Sequence, residues 1–369
     1  MKENWKYKKL GEVCEIYQPK TISSGMLISD GKYLVYGANG IIGRYNNYNH
    51  ESSELLMTCR GATCGTINIS EPCSWINGNA MVIHPIDETI NSIYFLKYLL
   101  GSLDLSTIIT GAAQPQITRQ TLSPISIPVP PLPVQQQIVA ELDLLSDIIE
   151  KQKQQIAELD KLAQATFYDM FGDPVTNEKG WEVKKFGDIG TLQRGSGLSK
   201  KDLTTTGYPC ILYGQIHTKF GAFTSKHIAC IPQELVKTTK IAKSGDVIMA
   251  ITSEDVECSC KSTAWMGNYD IAIGSDAAIF HHDQNSIYIS YYTRTKAFYN
   301  EKARYANGFK VTHISTKEIA TISIMLPPLP LQQSFASRIE AIERQKELIS
   351  NSIKESRKLF DSRMEHWFG

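Results

Sequence analysis

Thiols and imidazoles are the side chains best able to hold a metal or act as nucleophiles, and this sequence spaces them poorly for either task. Eight cysteines stand in 369 residues, too sparse for a disulfide framework, so free thiols are expected. Cys59 and Cys64 form a single C-x4-C, but neither they with Cys73 nor Cys258 with Cys260 find the second C-x2-4-C pair or the H-x3-5-H partner of a structural zinc site. No metal ligand is assigned. His281-His282 reads as a solvated turn at a strand end. Gly195-Ser196-Gly197 has neither the third glycine nor the following helix of a dinucleotide site, and P-loop, H-E-x-x-H and G-x-S-x-G patterns are absent. The sequence points to a chain that binds rather than catalyses, with no cofactor.

What the sequence repeats is a frame. Trp5-Lys6-Tyr7-Lys8-Lys9-Leu10-Gly11 returns as Trp181-Glu182-Val183-Lys184-Lys185-Phe186-Gly187, an offset of 176. Ser126-Ile127-Pro128-Val129-Pro130-Pro131-Leu132-Pro133-Val134-Gln135-Gln136 returns as Ser323-Ile324-Met325-Leu326-Pro327-Pro328-Leu329-Pro330-Leu331-Gln332-Gln333, an offset of 197. At that offset Phe171-Gly172 falls on Phe368-Gly369. The second unit therefore holds 21 extra residues ahead of its proline-rich segment.

Proline is tolerated in a first helical turn, where the N–H groups have no partner anyway, so each PPLP-x-QQ reads as a helix start. Beyond it apolar residues step by four and three. Ile138, Leu142, Leu145, Ile149, Ile156 and Leu159 form one seam, and Phe335, Ile339, Ile342, Ile349 and Ile353 the other. Each helix of about 39 residues would be close to 60 Å long. An antiparallel pairing of the two buries both seams and makes a ruler with one head at each end. The simpler alternative, each helix packing on its own head, is satisfied by far shorter helices.

The heads carry short β-type runs at 54–58, 80–83, 245–251 and 277–280, with helical stretches at 93–100 and 290–294, bounded by Gly, Asn and Asp clusters. The expected fold class is α+β, with two globular domains separated by two long helices in an antiparallel coiled coil. The expected boundaries are 1–131 and 173–326 for the heads, and 132–172 and 327–369 for the helices. The net charge is zero, but it is unevenly spread: 132–172 carries 3 basic and 7 acidic residues, and 173–326 carries 18 and 15. Local potential, not the total, decides whether a phosphate backbone is attracted. No apolar run reaches the roughly 20 residues of a membrane span, and the first residues lack a secretory h-region. A cytoplasmic location is expected.

The duplicated plan, the W-x-x-K-K-[LF]-G opening, the PPLP-x-QQ helix entry and the F-G close together resemble the specificity subunit of type I restriction-modification systems. The resemblance covers essentially the whole chain. Residues 36–45 and 60–65 look like target-recognition-domain sequence. A Gly-x-x-Gln-x-x-Ile element at 111–117 has its counterpart at 308–314, where Val311 stands for Gln114. The resemblance implies that each head reads one half of a bipartite, asymmetric double-stranded DNA target. It also implies that the helices fix the spacing and dock two methyltransferase (modification) subunits, with ATP-dependent restriction subunits joining that core.

Arg favours guanine and Asn or Gln adenine in the major groove. The candidate DNA contacts are Asn39, Arg44, Tyr45, Arg60 and Gln114 in the first head, and Gln193, Arg194, Ser196, Tyr213, Gln215 and Lys310 in the second. A plainer reading makes Asn39-Gly40 a hairpin turn and the arginines surface ion-pair partners. Two other classes stay open: a coiled-coil adaptor whose heads bind protein or glycan, and an enzyme with a hidden metal site.

Overall fold

The computed structural model describes residues 5–87, 92–111, 114–305 and 312–369. The chain divides into two compact units, 1–154 with 350–369, and 155–349. Each is a head plus parts of both long helices, which run over Leu132–Phe171 and Leu329–Phe368.

In the first unit a four-stranded sheet is ordered Cys14–Tyr17, Ala80–Pro85, Leu55–Thr58, Ile67–Ile69, beside a three-stranded sheet ordered Gly40–Tyr45, Tyr33–Gly37, Trp75–Ile76. Leu55–Thr58 and Ala80–Ile83 are buried on both faces, which explains their near-continuous apolar runs. The helix Ile93–Ser102 buries Phe95, Leu96, Leu99 and Leu100 against this core. The two landmarks of the repeat meet: Lys6–Lys9 pairs antiparallel with Ser126–Val129.

The second unit repeats this with a five-stranded sheet ordered Gly190–Arg194, Ala277–His282, Val247–Ala250, Ser262–Trp265, Phe223–Thr224. Its four-stranded sheet is ordered Ala229–Ile231, Tyr208–Ile211, Ile271–Ile273, Lys240–Ala242, and Glu182–Lys185 pairs with Ser323–Leu326. Strand register aligns the heads residue by residue. Tyr36 runs parallel to Ile76 as Ile211 does to Ile273, and Leu55 faces Ile83 as Val247 faces Phe280. Most of the extra length therefore lies between these two strands, in 212–246. The helical stretch at 290–294 is really the end of Ser286–Tyr292, followed after a short break by Lys296–Lys302.

The first glutamine of each PPLP-x-QQ has a structural task. Gln135 is fully buried, donates to the Pro130 carbonyl at 2.9 Å and accepts the Ser92 N–H at 3.0 Å. Gln332 does the same with Pro327 at 2.8 Å and Asn285 at 3.1 Å. One amide thus ties the start of the long helix to the start of the head's own helix. The F-G close is also physical: Phe171 is buried, and Gly172 at φ +76° supplies the left-handed residue that ends a helix.

Each unit joins the first part of one long helix to the last part of the other, antiparallel. In the first, Ile138 and Leu142 share the head core with Trp367, Phe360 and Met364. Arg363 Nη2 reaches Glu141 Oε2 at 3.0 Å, and the Trp367 indole donates to the same oxygen at 2.9 Å. In the second, Phe335, Ile339 and Ile342 share the core with Ala163, Phe167 and Phe171, and Lys346 bridges Asp160 and Glu343 at 2.7 and 2.8 Å. Leu145 is also buried, whereas Ile149, Ile156, Ile349 and Ile353 are half-buried and lie outside those cores. Leu159 packs at the edge of one. The seam is thus deepest where a head covers it, so both packing ideas hold at once in each unit. Among the described residues no helix is long and apolar enough to cross a membrane.

Candidate nucleic-acid interface

Both heads anchor the central strand with a carboxylate–histidine pair. Glu54 Oε2 lies 2.9 Å from His84 Nδ1, and Asp246 Oδ1 lies 2.7 Å from His281 Nδ1, at matching register positions. Both carboxylates are buried and so need such a partner. His281 is therefore the hydrogen-bond partner of a buried carboxylate, not a solvated turn. His282 tilts against Phe280, and burial pushes its pKa down to about 4.

At the far end of those strands each head forms a polar lip. A loop leaves the central strand and returns through a hydrogen bond from Gly65 to Thr58 O in the first head, and from Cys260 to Ala250 O in the second, both 2.8 Å. Gly65 and Cys260 both take positive φ, at +92° and +55°. The loops hold six residues, 59–64, and nine, 251–259. Each is stitched to the segment preceding the Ile117 or Ile314 position: Ile117 N bonds Cys59 O, and Ile314 N bonds Ile251 O. Arg60 then lies opposite Gln116, and Thr252 opposite His313.

The structure sorts the candidate residues. In the first head the hairpin tip brings exposed Asn39 to the lip, where its Oδ1 accepts from Asn68 at 3.2 Å while the Thr58 hydroxyl donates to Ala38 O. Arg60 and Gln114 are exposed nearby in the stitched segments. Asn39-Gly40 is thus a hairpin turn, with Gly40 at φ +105°. Arg44 and Tyr45 lie at the other end of that hairpin, Arg44 on the Gly31 carbonyl and Tyr45 edge-on to Trp75, and do not join this group.

In the second head Arg194 lies at the lip. Its Nε donates to Ser275 O at 2.8 Å, and Nη2 stands 3.6 Å from Asp276 Oδ1. The Thr252 hydroxyl donates to that carboxylate at 3.3 Å and sits 3.1 Å from His313 Nδ1. His217 Nε2 contacts Thr252 O, and exposed Tyr213 stacks edge-on to His217. Gln193 is exposed one residue before Arg194. Gln215 and Ser196 have local duties instead: Gln215 Oε1 caps Leu212 N, and the Ser196 hydroxyl bonds Thr238 O. Lys310 lies outside the described residues. A buried ammonium supports the longer loop, since Lys302 donates to Glu257 O at 2.7 Å and to Ser259 O, and burial lowers its pKa.

Sequence reasoning missed Gln18, Asn68, Asn79, Gln116, Thr252, His217, Asp276 and His313. The signal for several was the repeat itself: 176 carries Gln18 onto Arg194, and 197 carries Asn79 onto Asp276 and Gln116 onto His313. Among the described residues no group of three His, Cys, Asp or Glu side chains could hold a metal ion.

Two copies of one α+β frame carrying unlike polar lips define a duplicated recognition protein. The sequence profile described as the type I restriction modification DNA specificity domain matches residues 2–161 and 178–356, and the chain belongs to that family, whose role is DNA specificity rather than catalysis. A Haemophilus influenzae protein provisionally named a type I restriction enzyme specificity subunit is 24% identical over 361 residues, 95% of this chain and 89% of that one. The fold is that of the type I restriction-modification S subunit from M. genitalium, at a TM-score of 0.65 and 13% identity, covering 99% of this chain and 96% of that one. A chain from a structure on complex assembly and conformational transition of the type I R-M system aligns at 0.56 and 18%, covering 99% and 98%.

Proposed function

We propose that the two lips read the two halves of one bipartite, asymmetric double-stranded DNA target, and that the long helices hold the heads at a fixed spacing while docking two methyltransferase subunits. Restriction subunits join that core. The observation that carries this reading is the contrast within the chain. The carboxylate–histidine pair, the buried glutamine and the helix entries recur, while the lip residues change from head to head. A frame kept alike and a surface made unlike are what reading two different half-sites requires.

The four functional segments are then 1–131, 132–172, 173–326 and 327–369. A 40-residue helix would be about 60 Å long at about 1.5 Å per residue, under two turns of B-DNA, so base pairs between the half-sites go unread. Leu162 and Leu359, related by the same 197 offset, are each 51% exposed. Exposed leucines at equivalent places suit two copies of one partner.

The test is co-expression with a methyltransferase subunit and mapping of methylated adenines. A bipartite motif is expected. Exchanging the second head for another should rewrite one half and spare the other; rewriting both, or a motif without a gap, would refute the reading.

A further inference from the structure

The frame offers its own control for finding reading positions, since a residue that serves folding should recur in both heads and one that reads a base should not. Among lip residues, one pair keeps its anchorage while changing its chemistry. Gln18 follows the strand Cys14–Tyr17, and Arg194 ends the strand Gly190–Arg194. Gln18 Nε2 donates to Gly78 O at 2.8 Å; Arg194 Nε donates to Ser275 O at 2.8 Å. Gly78 and Ser275 are themselves equivalent, each two residues before the strand that starts at Ala80 or Ala277. Both side chains are exposed. The backbone thus holds each by one donor and leaves the rest of the group facing outward.

What is left over differs in sign. Gln18 Nε2 has a second contact, Cys59 Sγ at 3.0 Å, so its donors are occupied and its Oε1 is the free function: an acceptor. Arg194 keeps its terminal nitrogens, with Nη2 steadied by Asp276 and that carboxylate in turn by Thr252. It is a donor fork of fixed orientation. A buttressed guanidinium fork matches the O6 and N7 acceptors of guanine in the major groove, whereas a lone amide oxygen matches the exocyclic amino group of adenine or cytosine.

Resting on the bipartite reading above, we propose that Gln18 and Arg194 are equivalent specificity-determining residues. Arg194 selects a guanine in the half-site of the second head, and Gln18 selects an amino-bearing base in the half-site of the first.

The test uses the chain assembled with its methyltransferase subunit. Motifs are mapped for wild type, Arg194→Gln, Arg194→Lys and Gln18→Arg. Expected is loss of discrimination at one guanine of the second half for both Arg194 variants, and a shift toward guanine at one position of the first half for Gln18→Arg. The untouched half and the gap stay as in wild type, which certifies folding in each case. Binding of wild-type complex to a duplex carrying 7-deazaguanine at the read position should weaken, and Arg194→Gln should not sense that change. A bidentate contact implies roughly 5- to 150-fold discrimination.

The inference is overturned if the second half holds no guanine, if wild type ignores 7-deazaguanine, or if Arg194→Lys keeps the full motif as a phosphate contact would. It is also overturned if Arg194→Gln erases its whole half evenly. A wild-type motif that is not bipartite would instead defeat the functional reading itself, which separates the two failures.

Discussion

Replacing the first glutamine of either helix entry should loosen one head and spare the other. Gln135→Leu and Gln332→Leu keep most of the side-chain volume, so the loss is polar rather than a cavity. In the first head it strands the Ser92 N–H and the Pro130 carbonyl; in the second it strands the Asn285 N–H and the Pro327 carbonyl. The carbonyls are buried and the N–H groups part-buried; a buried backbone group left without a partner costs about 1–3 kcal/mol, so about 2 kcal/mol per variant is expected, chiefly from the carbonyl. Ser92 and Asn285 cap the helices Ile93–Ser102 and Ser286–Tyr292 through their side chains, so those helices should respond first. Hydrogen exchange followed by mass spectrometry reads both in one experiment. Protection of Ile93–Ser102 should fall roughly 30-fold or more in Gln135→Leu, the equivalent of about 2 kcal/mol, and that of Ser286–Tyr292 in Gln332→Leu. Unchanged protection in both variants, or an equal loss in both heads from either, would refute the reasoning.

Three further outcomes follow from features already described. Arg363 and then the Trp367 indole hold the Glu141 carboxyl below its ordinary value of 4.5. A depressed carboxylate stabilises the fold above its unfolded pKa and loses that contribution as pH falls through the lower folded value. Acid unfolding of the first unit should therefore steepen below about pH 4.5 and flatten in Glu141→Gln, read by tryptophan fluorescence; identical profiles would be the contrary result. Lys302→Met removes two charge-assisted hydrogen bonds worth about 1.5–3 kcal/mol each, so exchange across 251–259 should accelerate and the second half of the methylated motif blur, with the first half intact. Leu162→Asp and Leu359→Asp should each lower methyltransferase occupancy toward one copy per chain in native mass spectrometry, and the double variant should release both; full occupancy in all three would remove these leucines from the docking surface.

The frame was readable because it is written twice and periodic. The helix entries, the seam and the F-G ends carry spacing that survives in one dimension, and even the fully buried Gln135 and Gln332 announced themselves by recurring. The lip was less legible because strand register builds it from residues far apart in the chain. Gln18, Asn79 and Gln116 belong to three segments, and none has a local pattern. Polarity in a loop also answers to the backbone: Gln215 serves a helix start and the Ser196 hydroxyl bonds Thr238 O. Arg44 and Tyr45 lie apart from the lip for geometric reasons, since a hairpin carries its tip and its base to opposite ends.

The two lip loops also bear on protein engineering. They hang between the same pair of backbone hydrogen bonds, although one has six residues and the other nine. Closing the longer loop costs only about 0.4 kcal/mol more by chain entropy, so length is nearly free at this site. A library grafted between Arg60 and Gly65, or between Ser253 and Cys260, would vary composition and length together while leaving the strand Thr252–Ser253 and the Arg60–Gln116 bridge in place. Such a scaffold could be re-addressed one half-site at a time, with the unaltered head as the internal standard for every clone.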